Sequence, residues 1–68
     1  MIYQARGISF TIEELTEQDT KRFETRFLAM QNLTNSQKNN PNYLREVHVG
    51  NTIEEVKKAI DSFEGFYN

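Results

Sequence analysis

The spacing of apolar residues points to a small α+β domain laid out β-α-β-α, with two helices packed on a two- or three-stranded sheet. Two stretches alternate apolar and polar residues with the period of a half-buried strand, and two others repeat with the helical period. Each helical stretch opens on a Thr followed three residues later by an acid, the signature of a capped N-terminus.

The first strand falls within about 2–12, where Ile8-Ser9-Phe10-Thr11-Ile12 alternates and carries two β-branched Ile. Gly7 marks a bulge or bend ahead of it, and Ile2 and Tyr3 either extend the strand or form a short partner. Helix one is placed at about 17–33, because Thr20, Phe23, Phe27, Met30 and Leu33 share about 140° of a helical wheel. Its start is set by Thr16-Glu17-Gln18-Asp19, with Glu17 and Asp19 near the positive end of the helix dipole. A competing start at Thr11-Ile12-Glu13-Glu14 would make one long helix and put Asp19 in the apolar stripe, where an unpaired carboxylate is costly.

Residues 34–42 lack any apolar side chain, and Pro41 biases Asn40 away from helix, so this stretch reads as a polar loop. A second strand at about 43–49 alternates Tyr43, Val47 and Val49 with Leu44, Glu46 and His48, and its Val-bearing face is expected to point inward. Helix two, about 53–64, follows the box Thr52-Ile53-Glu54-Glu55 and aligns Ile53, Val56, Ala59, Ile60 and Phe63. Gly65 is expected as its left-handed C′ residue, with Phe66 packing back on Ile60. The inward side chains of the sheet should be Ile8, Phe10, Ile12, Val47 and Val49.

With 68 residues and 37% apolar content, the chain has room for a single domain (1–68) with a thin core. It has no cysteine, which rules out disulfides and thiolate metal sites. Eight Lys and Arg stand against ten Asp and Glu for a net charge of -2, so the totals indicate neither a basic nucleic-acid footprint nor an acidic DNA mimic. The first residues show no basic segment leading into an apolar run, and no apolar stretch is long enough to span a bilayer. A cytoplasmic location with no membrane contact is the expectation.

His48 and Glu46 share a strand face and form the one pair with chemical potential, but a metal site needs three or four ligands and none completes the set. His48 therefore reads as a solvent-facing strand residue. Ser9, Ser36 and Ser62 lie beside no general base, and Gly7, Gly50 and Gly65 are too isolated to cradle phosphate. No catalytic, cofactor or metal residues are expected, and an enzyme is not indicated. Arg22 and Arg26 border the Phe23/Phe27 stripe, where their stems can snorkel or their heads bind an anion or a partner's carboxylates.

The run Val47-His48-Val49-Gly50-Asn51-Thr52-Ile53-Glu54-Glu55-Val56-Lys57-Lys58-Ala59-Ile60-Asp61 resembles the final strand and helix of the AP2-like arm-binding domains of phage integrases. Those domains are basic and place a three-stranded sheet before that helix, whereas here a Phe-bearing helix is expected to intervene. The resemblance implies DNA binding, with Arg6, Arg45, Lys57 and Lys58 as candidate phosphate contacts. The chain as a whole, in its size and its Asn, Lys, Glu and Ile usage, is similar to small accessory proteins of prophages and mobile elements in low-GC Gram-positive bacteria. That likeness implies a non-enzymatic regulatory role through protein contact.

Protein binding is thus the first expectation, with Phe23, Phe27, Met30, Phe66 and Tyr67 as interface candidates, and DNA binding is the alternative. A symmetric dimer is also expected, because a two-stranded sheet is marginal alone and the stripe of helix one needs cover. A third strand formed by Ile2–Ala5 would instead make the monomer self-sufficient.

Overall fold

The computed structural model describes residues 1–65. Its strands are β1 (Ile2–Ala5), β2 (Ile8–Glu14), β3 (Phe27–Gln31) and β4 (Val47–Gly50), and its helices are α1 (Glu17–Phe23), α2 (Asn35–Lys38) and α3 (Ile53–Ser62). The four strands form one antiparallel sheet in the order β1-β2-β3-β4, so each strand pairs with its neighbour in sequence. The α+β class therefore holds, with four strands in place of two or three.

Ile2–Ala5 forms the partner strand to β2, and Arg6 and Gly7 make the turn between them with φ of 53° and 72°. Two consecutive left-handed residues define the type I′ hairpin whose twist matches that of the paired strands. Gly7 is thus a turn residue rather than a bulge. Arg6 adopts a conformation that usually favours Asn, Asp or Gly.

The main correction concerns helix one. Thr16 does cap a helix, its hydroxyl accepting from the Asp19 amide at 3.2 Å, but α1 stops at Phe23, where Glu24 turns left-handed at φ 56°. The chain then runs as β3 against β2, pairing Phe27 with Glu14, Ala29 with Ile12 and Gln31 with Phe10. Pairing reverses the helical reading because a seven-residue central strand needs neighbours for its amides on both sides, and β3 supplies the second. The expected polar loop contains the short α2, closed by a reciprocal box between Thr34 and Gln37. The second strand begins at Val47, later than expected.

Helix α3 lies on one face of the sheet and starts as expected, with the Thr52 hydroxyl accepting from the Glu55 amide and Glu55 accepting from the Asn51 amide. It ends at Ser62 with Phe63 as its cap in extended conformation, so Gly65 is not its C′ residue; Phe66 lies outside the described residues. Val56 and Ile60 of α3 are fully buried against Phe10, Ile12 and Ala29, flanked by Tyr3, Ala5, Ile8 and Phe27. Gly50 permits that approach, since a β-carbon there would sit 3.0 Å from Val56 Cγ2 and 3.1 Å from the Val56 amide nitrogen.

The parity of β4 is the second correction. Gly50 faces α3, and side chains alternate along a strand, so His48 shares the covered face and Val47 and Val49 point away. Val47 and Val49 remain 47% and 52% exposed. Among the described residues no helix is long and apolar enough to cross a membrane.

Candidate functional site

Two arrangements carry enough chemistry to consider, and they lie on opposite faces of the sheet. On the covered face, the side chains of His48 and Glu46 are 9% and 6% exposed, and His48 Nε2 donates to Glu46 Oε2 at 2.7 Å. Arg6 ion-pairs with the same carboxylate and donates through Nε to the Ile60 carbonyl at 3.0 Å, near the end of α3. The imidazole meets Phe10 and Phe63 edge-on, with ring centres 6.1 and 5.1 Å away, and the Arg6 guanidinium stacks 5.6 Å over Phe63. The His48 side chain is therefore largely covered and not the solvent-facing one expected.

This cluster joins the β1–β2 turn, β4 and the end of α3. Gln31 extends it, its side-chain oxygen accepting from the Glu46 amide at 3.1 Å and its nitrogen donating to the Tyr43 hydroxyl at 2.7 Å. No buried side-chain polar atom among the described residues lacks a hydrogen bond. A satisfied network of this kind fixes the geometry of the elements it joins. No three His, Asp or Glu among the described residues stand together as a metal site.

Among the described residues no helix packs on the opposite face of the sheet. Strand register sets its rows: Ile2, Thr11, Met30 and Val47 lie across all four strands, with Glu13, Leu28 and Val49 in the next row. Ile2, Val47 and Val49 are exposed, and Leu28 and Met30 are half-buried. At one end, Asn32 donates to the Ser9 hydroxyl and meets Thr11 Oγ1 at 2.9 Å. Thr11, Glu13, Leu28, Met30, Asn32 and Arg45 line a groove of about 210 Å³ along the centre of this face.

Of the expected interface residues that are described, Met30 alone lies on this open face. Phe23 is 58% exposed at the end of α1, under the Arg22 guanidinium at 5.4 Å, while Phe27 packs toward the core with Arg26 stacked over it. The helical stripe that united them does not exist. Arg26 instead pairs with Glu14 across β2 and β3 at 3.1 Å. Phe66 and Tyr67 lie outside the described residues.

The candidate phosphate contacts are also dispersed. Arg6 is committed to Glu46 and Ile60, Arg45 donates to the Gln31 carbonyl at 2.8 Å, and Lys57 lies 5.2 Å over the Tyr3 ring. Lys57 and Lys58 sit on α3, the helix across the sheet from the groove that Arg45 lines. Tyr3 itself donates to Asp61 at 2.8 Å; that bond, with burial and the Asp61 charge, raises its hydroxyl above the usual value of 10.0.

The open face was missed because its residues come from four strands, three of which carry apolar side chains outward. One signal was present: Phe27-Leu28-Ala29-Met30 is apolar at both parities, as a strand with two apolar faces must be. No protein family, curated protein or solved structure matches this chain.

Proposed function

We propose that this chain is a non-enzymatic, cytoplasmic accessory module of the prophage type that works by binding another protein chain through the open face of its sheet. The observation that carries this reading is the outward row of Ile2, Met30 and Val47 beside Leu28 and Val49, apolar side chains left in water on a four-stranded sheet. Strand spacing of about 4.8 Å and a rise of about 3.3 Å per residue make this face roughly 19 by 17 Å, a contiguous patch of the kind that marks an interaction site. Its polar end, at Ser9 and Asn32, matches part of the rim expected around such a patch. The buried His48–Glu46–Arg6 cluster is structural in this reading, since every one of its members already has a partner.

The alternative, a DNA-binding accessory protein like the arm-binding domains, is favoured by one observation, an antiparallel sheet followed by a helix packed on one face. It has less support, because the groove presents one base, Arg45, and one acid, Glu13. A sheet that reads DNA needs an excess of cations to displace counterions.

Site-specific photo-crosslinking tests the reading. A photoreactive residue at Leu28 or Val49 should capture a protein chain, whether from extract or a second copy, while the same residue at Lys58 on the covered side should not. Capture of labelled duplex DNA at Leu28, or equal labelling at all three positions, would sink it.

A further inference from the structure

The distribution of charge along the groove identifies an occupant. Glu13 lies on β2 at one end, and Arg45 reaches over β3 at the other, held there by the bond from its Nε to the Gln31 carbonyl. Neither side chain has an ion pair among the described residues, although the chain's other exposed acid and base at this end of the sheet, Glu14 and Arg26, do pair. Between the unpaired acid and the unpaired base lie the apolar side chains of Leu28, Met30 and Val47.

We infer that the occupant of the open face is a second copy of this chain, stacked face to face about a two-fold axis. A two-fold axis between two sheets, set midway between Glu13 and Arg45, places each Glu13 over the partner copy's Arg45. One surface thereby supplies two interchain ion pairs flanking an apolar centre, the self-complementarity that an isologous dimer requires. The assembly is an eight-stranded sandwich with α3 of each copy on the outside, and sheets packed about 10 Å apart bury the outward valines. Among the described residues each chain alone has five buried apolar ones, so the second layer adds the core that the small domain lacks.

Two such faces cover on the order of 1,000 Å², the low end for a specific interface, so the dimer is weak and depends on concentration. The four-stranded sheet removes the need for edge pairing that a two-stranded one would have posed, and association shifts from the edge to the face.

This inference rests on the reading of the open face as a protein-binding surface, and a charge swap tests it separately. Sedimentation equilibrium of the full chain, from micromolar to millimolar, should show the mass rising from 8.0 kDa toward twice that value. Glu13→Arg and Arg45→Glu should each weaken the dimer by about tenfold or more, because like charges then face each other. Combining the two substitutions should restore it. Arg45→Glu also loses the bond to the Gln31 carbonyl, so far-UV circular dichroism is read alongside; restoration by the double variant is a result that a folding defect cannot produce. A chain that stays monomeric to millimolar overturns the inference, as does a dimer indifferent to both single reversals, which would place the contact at the free edge of β4. If the monomer still crosslinks from Leu28 to a different protein, the protein-binding reading stands without it; if it crosslinks to nothing, both fall.

Discussion

Each face of the sheet carries an exception to the usual distribution of polarity. The covered face holds a carboxylate, an imidazole and part of a guanidinium beneath α3, while the open face turns Ile2, Val47 and Val49 toward water. What differs is the completeness of partnership. Among the described residues every buried side-chain polar atom is hydrogen-bonded, so burying it is tolerable, whereas the open face presents apolar area on which none of their helices packs. The covered face accordingly governs whether the chain folds, and the open face is where we propose that it meets a partner.

Substitutions on the covered face should lower stability, and those on the open face should not. The largest effect is expected for Phe10→Ala, which empties the centre of a five-residue core; a loss of about 3–5 kcal/mol is comparable to the whole stability of a small domain. Circular dichroism should show it largely unfolded at room temperature. Gly50→Ala comes next, because its β-carbon presses on the Val56 side chain and backbone, at a cost of about 1–3 kcal/mol read as a lower denaturant midpoint with unchanged slope.

His48→Leu removes the donor to Glu46 and leaves that carboxylate with Arg6, for a loss of about 1–3 kcal/mol. An undiminished melting temperature would show that the buried cluster contributes nothing. Val49→Thr on the open face should stay within about 0.5 kcal/mol of the parent when dilute, yet reduce association when concentrated. Equal destabilisation by Val49→Thr and Gly50→Ala would erase the distinction between the faces.

The smallest effect belongs to Tyr3. Its folded hydroxyl titrates above 10.0 because the neutral form donates to Asp61, so the folded state holds that proton more tightly than the unfolded state. The associated stability is present below pH 10 and fades as pH rises through the folded value. Tyrosinate absorbance should show a late-titrating group that is lost in Tyr3→Phe.

Much of α3 was legible because two independent signals agreed, the Thr52 box and the alignment of Val56 and Ile60. The core strand was legible at Ile8, Phe10 and Ile12 for the same reason. Residues 27–31 were misread because Leu28, Ala29, Met30 and Gln31 are strong helix formers and Phe23, Phe27 and Met30 sit at helical spacing. Nothing local in that stretch records that β2 needs a second neighbour; pairing across the sheet decides it. The face of β4 failed differently. Alternation gives two equivalent parities, and hydrophobicity chose Val47 and Val49, while contact with α3 admits only the parity that puts Gly50 beneath Val56. The open face, and with it the roles of Glu13 and Leu28, depended on both corrections.

The sequential order of the strands has a kinetic consequence. A meander pairs strands adjacent in sequence, beginning with a two-residue turn at Arg6 and Gly7, so each strand closure is shorter than the one that brings α3 to β1. Distant partners meet when α3 docks, as in the bonds from Arg6 to Ile60, 54 residues apart, and from Tyr3 to Asp61, 58 apart. Until that step, a nascent sheet offers water two bare surfaces where the finished chain offers one. Docking is therefore the moment at which the chain acquires sidedness, and a molecule arrested before it is poised to stack indiscriminately through either surface.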